Sequence, residues 1–172
     1  MHFEVSWVYF KHSQNFPSFP QIPLATLFYE NSTRTRVSFE LLCALMGVGE
    51  LVLVAPPIWQ PEQVHCGRLT ASLEEGLANA DVVMCLRVQH ERLQQTEQFD
   101  LTAYRHQYAL TPTSLAYAKK DAMVMRPGPM NRGVEIDSVV ADGPQSSILQ
   151  QVQNGVMVRM AILESLINAM PD

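Results

Sequence analysis

Four short apolar runs constrain this chain more than anything else in it: "LATLFY" from Leu24, "ELVLVAPP" from Glu50, "DVVMCLRV" from Asp81 and "DAMVMRPGP" from Asp121. Each suits a buried strand, and each is closed by polar residues or by proline. Helical spacing fills the gaps. "TRVSFELLCALMGVG" places Val37, Leu41, Leu42, Leu45 and Met46 on one stripe and stops at Gly47 and Gly49. "SLEEGLANA" reads as a short helix, and another is expected around "TSLAYAKK". Strands that alternate with helices need crossover connections, so the predicted fold is α/β, with a parallel sheet flanked by helices. The closing run "SSILQQVQNGVMVRMAILESLINAM" carries Ile148, Val152, Val156, Leu163 and Ile167 at helical spacing, which predicts a C-terminal helix over 146–172. Residues 1–23, aromatic and broken by proline in "FPSFPQIP", have neither period and read as an arm.

Composition removes several classes of function. The 172 residues are 47% hydrophobic and 17% charged, as expected of one soluble, core-bearing domain. A net charge of -5 with only twelve Lys plus Arg argues against a nucleic-acid partner, because counterion release needs a basic face. Cys43, Cys66 and Cys85 are widely spaced, with neither a C-x-x-C pair nor a metal-ligand pattern, and read as reduced, buried thiols. No apolar run approaches the roughly eighteen residues of a membrane span, and the N-terminus lacks the apolar core of a secretory signal. The expected compartment is the cytoplasm, with small molecules as partners.

One stretch runs against helix electrostatics. In "TLFYENSTRTRVSFE", Arg34 and Arg36 fall where a helix is expected to begin. That end carries roughly half a positive charge and favours anions. Glu40 is four residues after Arg36, the less favourable order for an i,i+4 pair. A bound phosphate would resolve the conflict, since backbone N–H groups, the hydroxyls of Ser32, Thr33 and Thr35, and the Arg34 fork would all donate to it. A plain Ser or Thr N-cap with solvated arginines remains the alternative.

Two later stretches lie at strand ends, where open α/β sheets bind ligands. "DVVMCLRVQHERL" puts Arg87 and Gln89 there, and Arg87 would suit a carboxylate or, alternatively, a surface pair with Glu91. "AMVMRPGPMNRG" leaves its strand into Pro127, Gly128 and Pro129. Their carbonyls either accept from an NH2 group or simply form a turn.

In that order, "FYENSTRTRVSFE", "ADVVMCLRVQHERL" and "VMRPGPMNRGVEI" resemble the aspartate/ornithine carbamoyltransferase family. The R-V-Q and P-G-P-M-N-R-G segments resemble its aspartate carbamoyltransferase catalytic chains, and the likeness runs over roughly residues 24–169. The resemblance implies carbamoyl transfer from carbamoyl phosphate to the amine of L-aspartate, a step of de novo pyrimidine biosynthesis, by homotrimers that need no metal or organic cofactor. It implies that Ser32, Thr33, Arg34 and Thr35 hold the phosphate, with Arg34 and Thr35 also facing the carbonyl oxygen that becomes negative. Arg87 would grip an aspartate carboxylate, Gln89 would position it, and the carbonyls around Pro127, Gly128 and Pro129 would hold the carbamoyl amide.

The sequence also departs from that family. The family's lysine-bearing mobile loop, a further phosphate-binding arginine, its His-Pro-Thr-Gln segment and an arginine for the second aspartate carboxylate have no counterpart. None of the five histidines, His2, His12, His65, His90 and His106, precedes proline, and Arg126 stands where the family has a histidine before P-G-P. An internal deletion with its junction near residues 39–45 accounts for this. The expected organisation is an arm over 1–23, a remnant of the carbamoyl-phosphate-binding domain over 24–42, an aspartate-binding domain with a truncated start over 43–145, and the final helix. A non-catalytic remnant that binds anions weakly, or associates with full-length subunits, is the alternative function. Such a deletion is expected to expose apolar strand edges such as "LATLF" or "LVLVA".

Overall fold

The computed structural model describes residues 22–27, 40, 47, 49–61, 64, 66–88 and 100–168. Among the described residues five strands form one sheet: β1 (Pro23–Leu27), β2 (Glu50–Val54), β3 (Arg68–Thr70), β4 (Val82–Cys85) and β5 (Met123–Met125). Their order is β3-β2-β1-β4-β5 and every pairing is parallel. The α/β expectation is met.

β1 is the middle strand, with Leu24 registered against Leu51 of β2 on one side and Val82 of β4 on the other. Its proline comes first, where a missing N–H is tolerated. β2 also has partners on both sides. This overturns the expectation that "LATLF" or "LVLVA" would be open edges: among the described residues the sheet ends in β3 and β5, each three residues long. Short edge strands offer little template for further pairing.

Alternate strand positions fill the two faces. Ala25, Leu27, Val54, Val83, Cys85 and Val124 pack into the larger core with Leu73 and Leu77 of α1 (Leu73–Leu77) and Tyr104 and Tyr108 of α2 (Leu101–Tyr108). Leu53, Ala55 and Leu86 form a smaller cluster with Val64 and Leu69. Ser72 caps α1 by accepting from the Glu75 N–H at 3.2 Å, and Asp100 caps α2 by accepting from Thr102 and Ala103. The helix expected around "TSLAYAKK" is one turn, α3 (Pro112–Leu115), opened by a Thr111–Ser114 capping box and followed by turns. A further turn of helix, α4 (Ser138–Ala141), precedes α5 (Ile148–Asn168).

α5 is the expected C-terminal helix, but only its start is docked. Ile148 is 1% exposed, whereas Val156, Leu163 and Ile167 are 47%, 59% and 66% exposed. Among the described residues a long run of exposed apolar side chains thus lies along this helix rather than on an unpaired apolar strand edge. The cysteine expectation needs a smaller correction: Cys85 is buried, but Cys66 is half-buried, because it lies on the bend before Gly67 rather than in a strand. Both are free thiols. Of the stretch 28–46, only Glu40 is described, helical and buried.

Candidate functional site

The chain runs from β1 outward to β2 and β3, then crosses back to place β4 and β5 on the other side of β1. The direction of winding reverses between β1 and β4. In open parallel sheets that reversal opens a crevice at the carboxyl ends of the two strands, because their connections leave toward opposite faces. The main-chain ladder reaches this edge, with the Leu86 N–H donating to the Leu27 carbonyl at 3.2 Å.

Each of the three sequence motifs follows one of the adjacent strands β1, β4 and β5. Past β4, Arg87 is half-buried and engaged, with Leu86 and Val88 buried on either side of it. Past β5, Pro127, Gly128 and Pro129 are exposed at the head of an irregular stretch. Past β1, the segment that carries Ser32, Thr33, Arg34 and Thr35 lies outside the described residues, as does Gln89.

Sequence reasoning missed what holds the P-G-P loop. Arg126, with its side chain wholly removed from solvent, donates from Nη2 to Glu135 Oε1 and to the Pro129 carbonyl, both at 2.8 Å, and from Nε to the Pro127 carbonyl at 3.3 Å. Two of the three carbonyls assigned to the carbamoyl amide thus already accept from one guanidinium, and each keeps a second lone pair. Glu135 Oε1 also accepts from the Asn131 N–H at 2.6 Å, and Asn131 Nδ2 donates to the Val88 carbonyl at 2.8 Å. The Arg126 N–H donates to Gln151 Oε1 of α5 at 2.9 Å. A methyl group on Gly128 would come within 3.2 Å of Val152 Cγ2, so the loop lies close against α5. The nine-residue separation of Arg126 and Glu135 fits no helical or strand period, which is why the pair gave no signal in sequence.

Cys85 ends β4 beside this network, its Sγ 3.8 Å from the Glu135 carbonyl oxygen. Burial pushes its thiol up to about 12; the Arg126 guanidinium pulls the other way and Glu135 adds a smaller upward push. Such a thiol stays protonated and is a poor nucleophile. Among the described residues no group of His, Cys, Asp and Glu could hold a metal ion, and no helix is long and apolar enough to cross a membrane. A groove of about 530 Å³ lined in part by Leu73, Arg105, His106, Thr113 and Tyr117 contains none of the predicted site residues.

The family model for the Asp/Orn binding domain of aspartate/ornithine carbamoyltransferase matches residues 27–166. The chain belongs to the aspartate/ornithine carbamoyltransferase family. Among curated relatives it is 62% identical over 149 residues to the aspartate carbamoyltransferase catalytic subunit of Legionella pneumophila (strain Corby), covering 87% of this chain and 50% of that protein. It is 46% identical over 140 residues to the subunit of the same name from Ruthia magnifica, covering 79% and 44%. The chain spans about half the length of the curated relatives it matches. Among solved structures, the ornithine carbamoyltransferase from Pyrococcus furiosus superposes with a TM-score of 0.74 at 18% identity, over 90% of this chain and 52% of that one. At that identity the likeness is one of fold.

Proposed function

We propose that this chain carries the ligand-binding edge of an aspartate carbamoyltransferase: it binds carbamoyl phosphate and L-aspartate for transfer of the carbamoyl group to the aspartate amine, giving N-carbamoyl-L-aspartate and phosphate. The observation that carries the reading is topological. Its three motifs follow three neighbouring strands, β1, β4 and β5, around the point where the winding of the sheet reverses.

In this reading Ser32, Thr33, Arg34 and Thr35, from a first-domain remnant over 24–42, hold the phosphate as it leaves. Arg34 and Thr35 donate to the carbamoyl oxygen as the amine attacks, which is electrostatic stabilisation of the developing charge. Arg87 takes a carboxylate of aspartate as a two-pronged donor, with Gln89 orienting it. The carbonyls of Pro127 and Gly128, and the Pro129 turn that aims them, accept from the carbamoyl NH2. Catalysis here is chiefly positioning, which brings amine and carbonyl carbon together as the C–N bond forms and the C–O bond to phosphate breaks, and the leaving phosphate takes up the amine's proton. In this reading the protein is cytoplasmic, and the homotrimer is the assembly of the family's full-length chains.

A second reading, a remnant that binds ligands without turning them over, is favoured by the chain's coverage of only about half of its relatives. The two combine into one expectation: binding survives and turnover is poor. Loss of a single charge-stabilising donor costs about 100- to 1,000-fold in turnover, and several family contacts have no counterpart here. Measuring N-carbamoyl-L-aspartate formed by the purified chain tests this. A rate at least about 100-fold below a full-length relative is expected. A rate equal to the relative's would overturn the expected deficit, and failure to bind either ligand would overturn the proposal.

A further inference from the structure

Arg126 directly precedes the carbonyls assigned to the carbamoyl amide. Its guanidinium is fully buried and directed back into its own loop rather than toward the crevice. Resting on the proposed function, we infer that Arg126, Glu135 and Asn131 form a positioning network that sets the Pro127 and Pro129 carbonyls and fixes their loop against the strand end bearing Arg87.

The chain of contacts is continuous. Arg126 Nε and Nη2 reach the carbonyls of Pro127 and Pro129, at 3.3 and 2.8 Å, so one planar group fixes both ends of the P-G-P turn. Nη2 also meets Glu135 Oε1 at 2.8 Å, and that oxygen takes the Asn131 N–H at 2.6 Å. Asn131 Nδ2 then reaches the Val88 carbonyl at 2.8 Å, one residue beyond Arg87. The spacing between the carbonyls that would receive the carbamoyl group and the arginine that would receive the acceptor amino acid is thus set through a buried ion pair. A lysine cannot do this. Its single ammonium carries the charge but lacks the planar fork that serves two carbonyls and a carboxylate at once. Buried ion pairs contribute little net stability, and here Arg126 Nη1 and Glu135 Oε2 are buried with no hydrogen-bond partner among the described residues. Fixing geometry is what this pair does well. Arg126 is accordingly a positioning residue and does not bind substrate.

Amide hydrogen exchange on the full chain, read by mass spectrometry with residue-level fragmentation, tests the inference without requiring turnover. In Arg126→Lys the Asn131 amide is expected to exchange at least about tenfold faster than in the wild type, while amides of β1 and β4 keep their protection. The Arg126→Met, Glu135→Leu double variant removes both charges and keeps an apolar core, and the same local gain is expected there even if Arg126→Met alone fails to fold. Unchanged Asn131 protection in the double variant would overturn the inference. So would full protection in Arg126→Lys, since Arg126 would then serve only as a counter-charge. In a second arm, carbamoyl phosphate is titrated against wild type and Arg126→Lys, with weaker binding expected in the variant. Absence of binding to the wild type would count against the proposed function, while the exchange arm would still decide the network.

Discussion

Arg126 and Glu135 face each other at 2.8 Å with neither side chain exposed to solvent. Breaking such a pair from one side leaves an uncompensated charge in the core. Arg126→Met and Glu135→Leu are each expected to lower unfolding free energy by about 3–5 kcal/mol, and the double variant by less than either alone. Urea titrations of the three variants give the comparison. Single-variant losses below about 1 kcal/mol, the range of exposed pairs, would contradict it.

Cys85 supplies a pH dependence with a definite sign. Its folded-state value is raised from 9.0 to about 12, chiefly by burial. Above pH 9 the unfolded chain releases this proton and the folded chain keeps it, so stability is full below pH 9 and falls as pH rises toward 12. Relative to Cys85→Ala, the wild type is expected to lose up to about 1.4 kcal/mol per pH unit in that window. Iodoacetamide at pH 8 should accordingly label half-buried Cys66 well before Cys85, as peptide mapping would reveal. Early labelling of Cys85 would mean that β4 opens.

Gly76 tests how closely α1 lies on the sheet. It is buried in the helix, and a methyl group placed there would collide with Val54 Cγ2 of β2. Gly76→Ala gains helix propensity but must move either the helix or the strand, at a cost of about 1–3 kcal/mol. A thermal melt at or above the wild-type temperature would show that the two elements are less tightly apposed.

What could be read from sequence and what could not divide along a physical line. β1, β2, β4 and β5 announced themselves as apolar runs because parallel strands buried on both faces need them, and Ser72 with the leucines after it announced α1. β3 is only Arg68, Leu69 and Thr70, a sequence with no apolar run, so it was invisible. α2 buries only Tyr104 and Tyr108, while Leu101 and Ala103 are exposed, so it has no buried aliphatic stripe to detect. That Arg87 and Pro127 to Pro129 lie beyond the ends of β4 and β5 was legible because strand ends are legible. The Arg126–Glu135–Asn131 network was not, since its members meet across an irregular loop that no periodicity describes.

α5 governs behaviour in solution. Val152, Val156, Leu163 and Ile167 lie on one side of a helix about 30 Å long and are 42% to 66% exposed. An apolar stripe of that length on a monomer promotes association. The chain is expected to sediment as concentration-dependent oligomers, and Val156→Lys with Leu163→Glu is expected to shift it toward monomer. A wild-type chain that sediments as a monodisperse monomer with a cooperative melt would contradict this.

The central claim is that carbamoyl phosphate and L-aspartate meet at the carboxyl edge of β1, β4 and β5. Amide chemical shifts test it most directly, with Leu86, Arg87 and Gly128 reporting on that edge and Asp81 and Ala122, which precede β4 and β5, on the opposite one. The expected result is a weak but saturable shift of the first set on adding carbamoyl phosphate and then L-aspartate, with the aspartate response lost in Arg87→Ala. Absence of saturable shifts, or equal shifts at Asp81 and Ala122, would contradict the placement of the site.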